Sequence, residues 1–129
     1  MAQPKFLNRN PDEEVVKSLI TTDSSYHYID SLVVTPNEAG IAKVYVIGYN
    51  TDSLEAVTGV KIFRYSVKNG TLSLGAVSND LSTVTDADLG TATFDVSLVN
   101  NKIYVRIKGK LNFTFYWRSI TKRQTIYKT

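Results

Sequence analysis

A chain of 129 residues, 43% hydrophobic and 21% charged, can bury one core unaided, and its lack of cysteine excludes disulfides and thiolate metal sites. Its net charge of +3 hides a division: residues 1–95 hold 7 Lys/Arg against 12 Asp/Glu, whereas residues 96–129 hold 8 Lys/Arg and no acid. No apolar run approaches the roughly 18 residues of a membrane span, and "MAQPKFLNRNPDEE" lacks the apolar stretch of a secretory signal, so the expectation is a soluble chain made in the cytosol with no membrane partner.

In chain order, the first element reads as a short helix. Asn10 can cap it, Pro11 suits its first position, and Asp12, Glu13 and Glu14 complement its dipole. Val15, Val16, Leu19 and Ile20 then share one stripe at helical spacing, and Ser, Thr and Asp residues from 21 to 25 end it. A helix of about ten residues does not stand alone in water, so this one needs a dock. Residues 1–22 are therefore expected to form an arm with an anchoring helix, ahead of a β domain over 23–129.

From Tyr26 onward the period is two. "YHYIDSLVV" and "IAKVYVIGYN" predict strands parted by the turn "TPNEAG". "AVTGVKIFRYSV" and "TLSLGAV" predict a hairpin through Asn69-Gly70, because both residues tolerate the positive φ of a type I′ turn. "SNDLSTVTDADLG" reads as an acidic loop with room for a short strand at its centre. "TATFDVSLV" and "KIYVRIKG" predict a second hairpin through Asn100-Asn101, and Gly109-Lys110 reads as a turn into "LNFTFYWRSI". In that last pair Ile103, Val105, Ile107, Leu111, Phe113, Phe115 and Trp117 face inward. "TKRQTIYKT" reads as a weak terminal strand. About seven to nine such strands imply an all-β, antiparallel sandwich or barrel, and a jelly-roll-like sandwich is the expectation.

Chemistry is sparse. The single histidine, His27, sits in a strand between two tyrosines, no Gly-x-Ser-x-Gly elbow occurs, and all seven glycines are isolated. Asp86 and Asp88, with Asp80 nearby, are the acidic cluster beyond the helix start; "DADLG" begins like a calcium loop but lacks the later ligands. Solvated loop acids are the simpler reading, and a cation there is left open. The expectation is no catalytic residue, no cofactor and no metal.

The outer face of the last strands carries Tyr104, Arg106, Lys108, Tyr116 and Arg118. Aromatic and basic residues on one face suit a partner protein, a glycan or a single-stranded nucleic acid. The acidic half of the chain opposes a general phosphate field, which argues against nucleic acid. A packing surface toward another subunit is the first reading and a ligand site the second.

The strand pattern from Tyr28 to Thr125 resembles a small β-sandwich module of tailed-bacteriophage structural proteins, found in tail-fibre, neck and head-decoration polypeptides. The resemblance rests on "IDSLVV", on the nearly unbroken "AKVYVIGYN", on "VTGVKIFRY", and on a closing element carried by Gly90, Phe94, Val96, Asn101, Val105, Ile107, Gly109 and Trp117. It implies a non-enzymatic virion protein that packs in several copies with other virion proteins, assembled in the host cytoplasm. Within that reading the N-terminal arm is the anchor. Two other readings stand beside it: a module that binds a host-surface receptor or carbohydrate, and a single-strand nucleic-acid binder.

Overall fold

The computed structural model describes residues 6–8 and 13–128. These form ten strands: β1 Phe6–Asn8, β2 Glu13–Thr21, β3 Tyr26–Ser31, β4 Glu38–Asn50, β5 Glu55–Lys68, β6 Thr71–Leu74, β7 Ser78–Thr85, β8 Thr93–Val99, β9 Lys102–Lys108 and β10 Phe115–Lys128. One 3₁₀ turn, Ala87–Leu89, lies between β7 and β8. All pairings are antiparallel. They make two sheets that share one core, the arrangement of a β-sandwich.

The large sheet is built on the order β10-β4-β5, with β1 and β2 on the free side of β10 and β6 and β7 on that of β5. The small sheet runs β3-β9-β8. Its inward residues Ile103, Val105, Ile107, Phe94 and Val96 meet Val44, Val46, Val57, Phe63, Phe115 and Trp117 of the large sheet. Trp117, almost wholly buried, stacks on Phe115 with ring centroids 5.2 Å apart. Its indole N–H donates to Thr21 Oγ1 at 2.9 Å, so the one polar atom of the ring is satisfied inside the core.

Both predicted hairpins are present, with the backbone their turn residues favour. Asn69 and Gly70 have φ of 51° and 79°, and Asn100 and Asn101 have 48° and 62°. Four other expectations are corrected. Residues 13–21 are a strand instead of a helix, hydrogen-bonded along β10 from Thr21↔Phe115 to Glu13↔Arg123. Val15, Val16 and Ile20 are β-branched, and pairing both satisfies their backbone and covers an edge of β10 that would otherwise stay open. The capping residues 10–12 on which the helix reading leaned lie outside the described residues.

The acidic stretch after β6 is an eight-residue strand, β7, which pairs with β5 through register shifts at Thr58/Val60 and Val60/Lys61. The run to Thr129 is no separate weak strand, because β10 continues unbroken from Phe115 to Lys128. Nor do β9 and β10 form a hairpin. After β9 the chain crosses to the other sheet, helped by Asn112, whose φ is 65° and whose N–H donates to Thr22 O at 2.9 Å.

Candidate functional site

This crossing separates the five residues expected to form one surface. Tyr104, Arg106 and Lys108 point outward from β9 in the small sheet, whereas Tyr116 and Arg118 point outward from β10 in the large sheet. The molecule therefore has two outer faces of different chemistry.

On the small sheet, β3 lies beside β9 with Tyr26 opposite Lys108 and Tyr28 opposite Arg106. Tyr28 stacks on Tyr104, centroids 4.2 Å apart and planes 17° off parallel. Arg106 is gripped by Asp95 on β8 through two hydrogen bonds, Nε to Oδ1 at 2.8 Å and Nη2 to Oδ2 at 2.6 Å. That pairing raises the arginine pKa further and fixes the guanidinium plane. The guanidinium lies 4.3 Å from the centroid of Tyr26, with the Lys108 ammonium 5.5 Å from the same ring. Strand alternation at 3.4 Å per residue produces this array, placing residues 26 and 28 and residues 104, 106 and 108 on one side.

On the large sheet the outer face carries rows across the strands that are rich in apolar residues, with a mixed row between them. Val16, Ile120, Tyr45, Val60 and Leu81 are consecutive partners on β2, β10, β4, β5 and β7. The next rows are Ser18, Arg118, Ile47, Thr58 and Val84, and then Ile20, Tyr116, Tyr49 and Ala56. Val16, Ile20, Ile47, Leu81 and Val84 are each more than half exposed. The four residues expected to form a helical anchor are thus divided by strand alternation. Val15 and Leu19 lie on the core side, half-buried, and Val16 and Ile20 join this outer face.

Two grooves indent the same side. The larger, about 830 Å³, is lined in part by Ile41, Arg64, Ser73, Gln124 and Ile126. The smaller, about 250 Å³, lies between Ile41, Lys43, Tyr45, Ile62 and Lys122. Lys43 is held by Asp80 at 3.0 Å, and the Lys122 ammonium sits 5.5 Å from the Tyr45 ring.

The sequence reading missed a polar network in the interior. Glu38 Oε2 accepts from the Tyr65 hydroxyl at 2.6 Å, and Glu38 Oε1 accepts from Thr35 N–H at the same distance. Arg123 donates to Tyr65 Oη at 3.3 Å and to Val33 O at 2.6 Å. Burial, reinforced by the bond to Glu38, pushes the Tyr65 phenol far above its usual range. Glu38, Tyr65 and Arg123 are 3%, 3% and 5% exposed, so no substrate reaches them as they stand. They hold the loop before β4 against β5 and β10. The signal for Arg123 was present, since it shares odd parity with Phe115 and Trp117 on one strand.

The three acids each have their own contacts, with Asp80 in β7 and Asp86 and Asp88 against the start of β5. Asp80 pairs with Lys43, Asp86 accepts from Ala56 N–H at 2.9 Å, and the Asp88 N–H donates to Glu55 at 3.3 Å. Among the described residues no three His, Asp or Glu side chains gather to hold a metal ion. His27 Nε2 lies 2.8 Å from Asp23 Oδ1, a local pair that holds the Asp23 carboxyl below its ordinary pKa. Among the described residues no helix is long and apolar enough to cross a membrane.

No family model and no curated protein matches the chain. Among solved structures, the tailspike protein of Acinetobacter baumannii phage AM24 is similar over 90% of this chain and 26% of its own, with 12% identity and a TM-score of 0.40, so the chain spans about a quarter of that tailspike.

Proposed function

We propose that this chain is a non-enzymatic structural module of a tailed-phage virion, held in place by protein–protein contact through the outer face of its large sheet. The row Val16-Ile120-Tyr45-Val60-Leu81 carries the reading. Its ends, Val16 and Leu81, are more than half exposed, Ile120 and Tyr45 are half-buried and Val60 is covered by its neighbours. Single exposed apolar residues are ordinary, but apolar residues in register across five strands suit an assembly interface. Tyr and Arg at 45, 49, 116 and 118 add the residue types enriched where proteins meet. The resemblance of the strand pattern to phage structural modules supports the virion setting. Val16 and Ile20 keep a part in attachment, as members of this face.

The partners are further copies of the chain or neighbouring virion proteins. The test is a double variant, Ile47→Glu with Leu81→Glu, at two exposed positions of that face. Sedimentation over a concentration series should show self-association of the wild type and loss of it in the variant, with an unchanged thermal melt. A wild type that stays monomeric throughout counts against the homo-oligomer. Unimpaired incorporation of the variant into particles counts against the face itself.

A further inference from the structure

Contact through the large sheet leaves the outer face of the small sheet accessible. Its chemistry differs from that of an assembly patch: aromatic rings, fixed cations and half-buried hydroxyls replace exposed aliphatic bulk. We propose that this face binds an anionic polysaccharide, with a sugar ring on Tyr28 and sugar carboxylates at Lys108 and the free edge of Arg106.

Three observations carry this. Tyr28 is 53% exposed although one side of its ring rests on Tyr104, so the other side remains open as a platform. Tyr104 behind it is half-buried and holds the ring flat. Asp95 takes Nε and Nη2 of Arg106, which leaves the Nη1 hydrogens without a partner among the described residues on a guanidinium that cannot swing away. A rigid donor of this kind loses little entropy when it meets a carboxylate. Lys108 has no carboxylate partner among the described residues and lies two positions along β9 from Arg106, roughly 7 Å further on.

Charge and shape favour an acidic glycan over the other anionic polymers. Arg106 is already paired with Asp95 on the edge strand β8, which leaves Lys102 and Lys108 as the cations without a carboxylate partner among the described residues, a small net charge for a phosphate backbone. Thr93, Ser97 and the tyrosine hydroxyls match the hydroxyls of a sugar chain instead. The platform is a three-stranded sheet surface, which suits the interior of an extended chain lying across the strands.

The experiment is calorimetric titration of the full chain with polygalacturonate, with dextran as the neutral polysaccharide and oligo(dT) as the nucleic-acid probe. Polygalacturonate should bind and weaken as salt is raised. Tyr28→Ala and Lys108→Gln should each lower its affinity by about tenfold, while Lys68→Gln at the end of β5 in the other sheet leaves it unchanged. Both test variants should melt as the wild type does. No binding of polygalacturonate, equal binding of dextran, tighter binding of oligo(dT), or full affinity in both variants would each overturn the proposal. Such a failure leaves the assembly reading intact, because Ile47 and Leu81 lie on the large sheet.

Discussion

Gly48 faces Trp117 directly across β4 and β10, and replacing it with alanine tests whether that ring is held as the structure has it. A Cβ at position 48 would lie against Cζ3 of the indole, 2.5 Å from Cε3 and 2.7 Å from Cη2. Ordinary carbon contacts are about 3.5–4.0 Å, so the ring must retreat by roughly 1 Å. It has little freedom to do so. Phe115 stacks on it at 5.2 Å, and its N–H is tied to Thr21 at 2.9 Å, a bond that a 1 Å shift would stretch past useful length. Overpacking costs about 1–3 kcal/mol and the lost hydrogen bond about 0.5–1.5 kcal/mol. The stiffer unfolded chain returns about 0.4–1 kcal/mol. The net is a loss of about 2 kcal/mol, or roughly 8 °C in Tm for a domain of this size. Urea unfolding followed by far-ultraviolet circular dichroism reads the midpoint directly in every variant, including those without the tryptophan. Combining the change with Trp117→Phe should cost less than the sum of the two single changes, because the smaller ring vacates the space. A Gly48→Ala chain as stable as the wild type, or strict additivity in the double variant, would refute this packing.

Two further outcomes follow from local geometry. Gly70→Ala should cost about 1 kcal/mol through backbone strain alone, since φ is 79° and a Cβ there meets nothing within 4 Å; an unchanged urea midpoint would show that the turn has another form. Asp30 is turned inward by the β-bulge between Tyr28 and Asp30, where burial raises its pKa against the opposing pull of the Ser31 N–H, Thr121, Lys17 and Arg123. The folded chain therefore holds that proton more tightly than the unfolded one. The associated stability is fully present below the unfolded value of about 3.9 and is lost as pH rises through the higher folded value. Asp30→Asn should remove that part of the pH dependence, so the wild type loses stability relative to the variant across this window. Parallel curves of urea midpoint against pH would sink the argument.

Much of the fold was legible wherever structure is local. Asn69-Gly70 and Asn100-Asn101 supply the left-handed backbone that a two-residue hairpin needs, so both hairpins could be read from four residues. Alternation also gave the inward residues Ile103, Val105, Ile107, Phe115 and Trp117 and the partly buried Phe113, but it failed at Leu111, which lies exposed in the turn before β10, where no strand alternation holds. It could not say which sheet those residues belong to. Gly109 looks like the turn of a hairpin, yet it is buried with Thr21 Oγ1 and Asp23 O against it, at the point where the chain leaves one sheet for the other. A turn signal reports that the chain changes direction and is silent on whether it returns to its neighbour or crosses the core. Tyr104 and Tyr116 were therefore assigned to one surface when each belongs to a different one. The segment Val15–Ile20 failed for a related reason: pairs at i, i+1, i+4 and i+5 suit a helical stripe, and they suit equally a strand with apolar residues on both sides.

That second possibility had a witness in β4. A strand with one wet face should alternate, but "IAKVYVIGYN" is nearly continuous in apolar and aromatic residues. Ala42, Val44 and Val46 go to the core, and the residues between them, Ile41, Tyr45 and Ile47 with Lys43, go to the outer face. The core accounts for only one parity of the run. The other parity meets Val16 and Ile120 on one side and Val60 and Leu81 on the other, so the excess is shared by four neighbouring strands. Apolar residues agreeing in register across five strands are a property of the sheet as a whole, and the proposed assembly contact is the reading that gives this excess a use.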